Sequence, residues 1–297
     1  MTRLTRYAWF VLVFNVGVVL VGATVRATGS GAGCGPSWPT CKGEVVPELE
    51  GATAVEFTHR MVSGIALVLV IVLVAFVWRR LPKGHPARFG ALLAGIAIVG
   101  EALIGAAIVL AEWVADDVSV ARAVSVPLHL VNTLFLLAAL ALTIHWLTDG
   151  RRLDLKARPE VTRWVILGGL ALVFISASGA VTALADTLFP SEPFTPELSS
   201  EAHFLTRLRI IHPILAIGAA VVAWWISTRR GLPRSRASVA IPVLIGAMLL
   251  SGILNIAFGT PLWMQLVHLA LADALWIAYV LVSARALEVE EPVPAFH

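Results

Sequence analysis

The sequence predicts an all-α integral membrane protein, with eight transmembrane helices arranged as two pseudo-symmetric four-helix bundles and both termini in the cytoplasm (N-in/C-in). Three observations predict it. Hydrophobic residues make up 58% of the 297-residue chain and charged residues 14%, and the mean hydropathy is +0.86, far from the composition of a water-soluble domain. Charge clusters and prolines mark off eight apolar stretches, each near the roughly 20 residues a helix needs to cross a bilayer core. Lys and Arg alternate in density from loop to loop. Sixteen of the 22 fall at one side, from Arg3 and Arg6 through Arg79, Arg80, Arg151 and Arg152 to Arg285, and six at the other. Basic residues near helix ends are retained on the cytoplasmic side, so the denser side is inside. The net charge of +3 therefore reflects topology and gives no reason to propose a nucleic-acid partner; the partner of the surface is the lipid bilayer.

The first span, about residues 7–25, follows "MTRLTR" and ends near the small pair Gly22-Ala23. It has the outline of a signal peptide, but its removal would leave an odd number of spans, so it is read as a helix that stays. Residues 26–52 form an external loop carrying both cysteines, Cys34 and Cys41, in "VRATGSGAGCGPSWPTC". The second span, 53–78, opens on "EFTHR" and closes on the basic "WRR". The third runs over 88–110 and the fourth over 124–147. The polar connector "TDGRRLDLKARPE", residues 148–160, then separates them from spans at 162–185, 206–228, 237–258 and 262–284.

The chain resembles itself. "PLHLVNTLFLLAALAL" from Pro127 matches "QLVHLALADALWIAYVLV" from Gln265 once the histidines are superposed, and "GIAIVGEALIGAAIVL" from Gly95 matches "LIGAMLLSGILNIAFG" from Leu244. Residues 1–150 and 151–297 are accordingly read as two halves of four helices in parallel repeat. They differ in their first external loop: 26–52 holds the cysteines, while 186–205 holds none.

Eight histidines are present. His85, His145, His203 and His297 fall in loops or at helix ends and are read as solvated or interfacial. His59, His129, His212 and His268 each fall early in an even-numbered span, and all four of those spans run from outside to inside. The four imidazoles therefore lie at one depth below the outer surface. Polar groups inside a membrane are costly and mark function, and neutral imidazole is a common ligand of haem iron. Two helices presenting one histidine each can clamp a haem between them. The residues one turn deeper on the same face, Ser63, Thr133, Ala216 and Ala272, are all small, as a porphyrin edge would require. A zinc site is disfavoured, for the set lacks close i, i+4 pairing and nearby thiolates.

Glu56 lies three residues before His59 and shares its face on a helix, where a carboxylate can accept a proton or stabilise a cation; a helix-start glutamate favoured by the macrodipole is the plainer alternative. Arg60, Arg207 and Arg209 stand at the same edge and can meet haem propionates or extend to lipid head groups. Glu101 and Asp273 are the acids deep within spans, placed in the bundle interior with no partner legible in the sequence. Cys34 and Cys41 face the oxidising side, and a structural bridge and a redox role both remain open; closing so short a loop is worth about 2.5 kcal/mol on a chain-entropy basis. No CxxCH occurs, which excludes covalent c-type haem.

"GATVRATGSGAGCGPSWPTCKG", "EFTHRMVSG" and the later histidines of the fourth, sixth and eighth spans together resemble the haem A synthase (heme A synthase, CtaA) family, over essentially the whole chain. The resemblance implies an oxidoreductase that converts haem O to haem A, oxidising a porphyrin methyl group to formyl through a hydroxymethyl intermediate with water as the oxygen source. It further implies that His212 and His268 hold the iron of a resident haem b. His59 and His129 would hold the substrate haem, Glu56 would be the catalytic carboxylate, and Cys34 and Cys41 would form the outer-loop disulfide. The implied partners are haem O delivered by haem O synthase (protohaem farnesyltransferase), a membrane electron acceptor such as a quinone, and a second copy of the chain in a homo-oligomer. The implied location is the plasma membrane of a prokaryote, with the cysteine loop extracytoplasmic. Some family members carry a second cysteine pair in the later external loop, and this chain does not. The alternative is a di-haem b membrane electron carrier, quinol-linked, that leaves both haems unmodified; it accounts for the histidines but gives Glu56 and the cysteine loop no task. A transporter with a parallel repeat would need broken helices near the midplane, and glycine and proline interruptions there are few.

Overall fold

The computed structural model describes residues 1–148, 151–190, 203–228 and 236–289, without the side chains of 222–239. Most of the 186–205 external loop, Arg229, Arg230, Arg234, the Arg236 side chain and His297 lie outside the described residues. The helices are α1 (Arg3–Ala27), α2 (Gly51–Arg80), α3 (Pro86–Leu110), α4 (Val120–Thr148), α5 (Pro159–Leu188), α6 (Phe204–Arg209), α7 (Ile211–Thr228), α8 (Arg236–Ala257) and α9 (Leu262–Ala286). Eight spans among them are long and apolar enough to cross a membrane, α6 and α7 together supplying the sixth. Among the described residues there is no strand, only two isolated bridges.

Helix ends follow local chemistry. The Thr2 hydroxyl caps α1 by accepting the Thr5 N–H at 3.1 Å, and Pro86 and Pro159 open α3 and α5, positions where the missing N–H costs nothing. Arg79 and Arg80 close α2, where cations suit the C-terminal dipole. The sixth span breaks at Ile210. Pro213 cannot donate to the carbonyl of Arg209, and its ring crowds that carbonyl.

The packing closes two rings. In the first, α1 packs on α2, α2 on α3, α3 on α4 and α4 on α1; in the second, α5 packs on α7, α7 on α8, α8 on α9 and α9 on α5. The rings meet through α1 and α4 against α5 and α9. Leu12, Leu73, Leu137, Leu140 and Ile144 are buried in the first ring's core, which Trp276 and Val280 of α9 join from the second. Polar bonds tie the rings together. The Trp276 indole donates to the Leu134 carbonyl at 2.7 Å. Arg26, expected in the external loop, lies in the last turn of α1 and points inward, donating to Ala183 O at 2.5 Å, Thr187 Oγ1 at 2.7 Å and Gln265 Oε1 at 2.9 Å. Outward faces carry exposed Val68, Leu103, Leu170 and Ile253, a surface suited to hydrocarbon rather than water.

Cys34 and Cys41 form a disulfide, and both are fully buried. Their loop is laid against the start of α2. A Cβ at Gly33 would sit 2.4 Å from the Ala52 carbonyl carbon, so only glycine permits the approach. Thr53 Oγ1 donates to Gly33 O at 2.8 Å and fastens it.

Candidate functional site

The four histidines of interest are the ninth residue of α2, the tenth of α4, the ninth of the α6–α7 span and the seventh of α9. At 1.5 Å per residue, the rings lie roughly 9–13 Å inside their helix starts, slightly deeper than the sequence spans imply for His59, His129 and His212, whose helices begin earlier, and as implied for His268, whose helix begins at Leu262. Each ring also faces a glycine of the preceding span. A Cβ at Gly22 of α1 would lie 2.9 Å from His59 Cε1, and one at Gly179 of α5 would lie 2.9 Å from His212 Cε1. At Gly252 of α8 the distance to His268 Cε1 is 3.4 Å, and at Gly105 of α3 the distance to His129 Nε2 is 3.8 Å. The sequence reading missed these glycines. Their signal is a small-residue pair late in each odd-numbered span: Gly22-Ala23, Gly105-Ala106, Ser178-Gly179 and Ser251-Gly252.

In the second ring the serines complete the device. Ser178 Oγ donates to Ile175 O at 2.7 Å and lies 3.1 Å from His212 Nδ1; Ser251 Oγ donates to Met248 O at 2.9 Å and lies 2.8 Å from His268 Nδ1. A hydroxyl has one hydrogen. With that hydrogen given to the backbone, each serine accepts from Nδ1–H, and each imidazole keeps a bare Nε2 lone pair. The two rings stand with centroids 6.4 Å apart and planes at 86°. Two imidazoles sharing one metal through bonds of ~2.1 Å place their ring centres about 6.3 Å apart, so this pair could hold an iron porphyrin.

The first ring is built differently. His129 Nδ1 lies 3.0 Å from Glu101 Oε2, off the straight line of an ideal N–H···O bond. Glu101 Oε1 accepts from Asn132 Nδ2 at 2.6 Å, and Oε2 accepts from Thr133 Oγ1 at 3.1 Å. Glu101 thus has partners that the sequence did not disclose, contributed by α4. His59 lies within electrostatic reach of His129, Glu101 and Arg60, yet its buried Nδ1 has no hydrogen-bond partner among the described residues.

Glu56 is 3% exposed. Its Oε2 accepts the Cys34 N–H at 2.7 Å and its Oε1 pairs with Arg60 at 2.5 Å, while the same guanidinium donates to Ser37 O and Thr40 O. One carboxylate and one guanidinium therefore pin the disulfide loop to the start of α2. Arg209 pairs with Asp186 at 2.8 Å and donates to Phe189 O at 2.6 Å. Propionates reaching Arg60 or Arg209 would compete with these bonds; Arg207 stands in the same short helix. Asp273 is 1% exposed in the interior, its Oδ2 without a hydrogen-bond partner among the described residues.

Two histidines read as solvated are buried instead. His85 is folded back onto α3, its Nδ1 accepting the Ala87 N–H at 3.1 Å, and burial pushes its pKa below 6.5. His145 sits 3.2 Å from Glu288, which returns from the end of α9. His203 caps α6 and packs its ring against Phe189 and Phe204. Short connections let end residues turn back onto helix ends. Among the described residues, no group of three or more His, Cys, Asp and Glu is arranged to hold a bare metal ion.

The model of the COX15-CtaA family, described as a cytochrome oxidase assembly protein, matches residues 5–280. This chain belongs to the COX15-CtaA family. A heme A synthase of Alkalihalophilus pseudofirmus is 28% identical over 90% of this chain and 93% of its own length, and a heme A synthase of Lysinibacillus sphaericus is 39% identical over 34% of each. A protoheme IX farnesyltransferase of Thermus thermophilus is 48% identical over 97% of this chain but 49% of its own length. The chain spans about half the length of that Thermus relative. The name of the longer protein therefore covers a second half for which this COX15-CtaA chain has no counterpart in the match. With its eight apolar spans, this member of the family is a multi-pass membrane protein.

Proposed function

We propose that this chain is a haem A synthase, in which residues 1–150 bind haem O between His59 and His129 and residues 151–297 hold haem b between His212 and His268. The observation that carries the reading is the His212–His268 pair, whose 6.4 Å separation and serine-fixed tautomers suit a shared iron. The glycines behind all four rings extend the same design to both halves. The haem b held there supplies one-electron transfer. The substrate's methyl group takes up oxygen from water with loss of two electrons and two protons to become hydroxymethyl; loss of two more of each yields formyl. The electrons pass to a membrane acceptor of the quinone class. Glu56 accepts protons near the reacting carbon, Arg60 holds its charge in place, and the Cys34 N–H orients it. The loop itself covers the mouth and limits access of bulk water.

The uneven distribution of basic residues and the buried disulfide support placing the cysteine loop on the extracytoplasmic side of a prokaryotic plasma membrane. Haem O has to be supplied by a prenylating enzyme. The Thermus relative, half of which matches this chain while its name is that of a protoheme farnesyltransferase, supports a close association between the two activities.

The test is chromatography of haems extracted from membranes that contain this protein and a source of haem O. Formyl-bearing haem is expected. Unchanged haem O beside two bound b haems would overturn the synthase reading in favour of a di-haem electron carrier.

A further inference from the structure

The four histidines are held in two different ways. In the second ring both Nδ1 atoms are tied, to Ser178 and Ser251. In the first ring neither Nδ1 makes an aligned hydrogen bond among the described residues, but that of His129 stands 3.0 Å from a carboxylate oxygen, Glu101 Oε2. His59 Nδ1 has neither a hydrogen bond nor a carboxylate contact among the described residues, and its ring rests against the bare backbone of Gly22. A tied ring holds one tautomer and one orientation, which keeps Nε2 aimed at a metal; an untied ring has to be oriented by the metal bond alone.

We propose that Glu101 is a positioning residue that makes His129 the fixed axial ligand of the substrate haem and leaves His59 as the ligand that lets go. This rests on the first-ring site assigned above. A resident haem should never leave, and the second ring ties both its ligands. A substrate has to enter and depart after oxidation, and one released bond out of two is the economical way to permit that. Glu101 is itself well set. Asn132 donates to Oε1 at 2.6 Å and also to the Ala97 carbonyl at 2.8 Å, bridging α3 and α4, and Thr133 donates to Oε2. Both donors lie within four residues of His129 on the same helix, so the carboxylate is oriented by the helix that carries its client. A Cβ at Gly100 would lie 3.0 Å from Asn132 Oδ1, so the glycine lets Asn132 pack close to α3. A carboxylate this close to Nδ1 also strengthens donation from Nε2 and favours ferric over ferrous iron.

The experiment uses the purified full chain titrated with hemin, followed by transfer of bound hemin to excess apomyoglobin. Two equivalents are expected, one released slowly from the second ring and one rapidly from the first. Glu101→Ala should weaken the fast-exchanging site by ~10–100-fold while the slow site keeps its affinity and its six-coordinate spectrum, which also reports correct folding. Glu101→Gln, which retains an acceptor oxygen, should recover part of the loss. The midpoint potential of the fast-site haem should rise in Glu101→Ala; a tenfold shift in ferric over ferrous preference reads as about 59 mV for one electron. His59→Ala should leave a five-coordinate haem in that site, and His129→Ala should cost at least ~10-fold more affinity than His59→Ala. Glu101 variants with wild-type fast-site affinity and potential, or equal losses in the two histidine variants, would overturn the proposal while the two-haem reading stands. A single equivalent unaffected by His59 or His129 would overturn the two-haem reading itself.

Discussion

Replacing Gly179 with alanine puts a methyl carbon 2.9 Å from Cε1 and 3.3 Å from Nδ1 of His212. Carbon atoms in contact rest at about 3.5–4.0 Å, so the ring has to retreat by roughly half an ångström or more. It cannot swing freely, because Ser178, the adjacent residue, holds Nδ1 at 3.1 Å. Metal bonds tolerate deviations of about 0.2 Å, so the displaced Nε2 loses much of its bond to iron. Overpacking of this kind costs about 1–3 kcal/mol, which at about 1.4 kcal/mol per factor of ten corresponds to ~5–150-fold in haem affinity. The same change at Gly105 places the methyl 3.8 Å from His129 Nε2, ordinary contact, and should alter first-ring affinity less than about threefold. Both substitutions add a better helix former than glycine, worth up to about 1 kcal/mol; haem-free Gly105→Ala should melt no lower than wild type, whereas in haem-free Gly179→Ala the overpacking offsets that gain. The assay is hemin titration followed by the low-spin absorption bands, with thermal melting of the haem-free proteins alongside. Equal fold-losses of haem affinity in Gly179→Ala and Gly105→Ala, each measured against its own wild-type site, would refute the claim that Gly179 seats the His212 ring.

Glu56→Ala should abolish formyl production in membranes while both haems stay bound. Removing one partner of its buried pair with Arg60 should also lower stability by about 3 kcal/mol, read by thermal melting; an active variant would remove Glu56 from the chemistry. Arg26→Ala removes three donors that tie α1 to α5 and α9 and should cost at least about 2 kcal/mol, visible as earlier unfolding. His85 contributes a pH dependence. Its burial lowers its pKa from 6.5, so below pH 6.5 the unfolded chain takes up the proton first and stability falls with pH until the folded-state pKa is passed. Above pH 6.5 the contribution is fully present. Melting temperatures from pH 8 to 5 in wild type and His85→Asn should differ in slope below pH 6.5, and parallel curves would refute the assignment.

Much of the architecture is local and therefore visible in one dimension. A bilayer-spanning helix satisfies all its own backbone hydrogen bonds, so the length of an apolar run reports a span without reference to its neighbours. The eight predicted spans accordingly agree with the helices to within a few residues. The depth of a histidine follows from its distance along the helix, and His59, His129, His212 and His268 could be sorted from the other four that way. Glu56 before His59 was legible as a candidate, and Arg60 is its i,i+4 neighbour on α2; the bond to Cys34 was not legible, because the loop that supplies it folds back over 22 residues.

The amino-acid order by itself determined the number of spans, the level of the four imidazoles, and the presence of two cysteines in one short loop. Only the tertiary structure decided which way each helix turns its face: that Arg26 looks inward, that a glycine backs every ring, that Ser178 and Ser251 tie two of them, and that Glu101 reaches His129. Rotation and register of one helix against another are settled by side-chain packing across the contact. A shift of one residue turns a helix face by about 100°, so no pattern along a single segment can report which neighbour a side chain will meet.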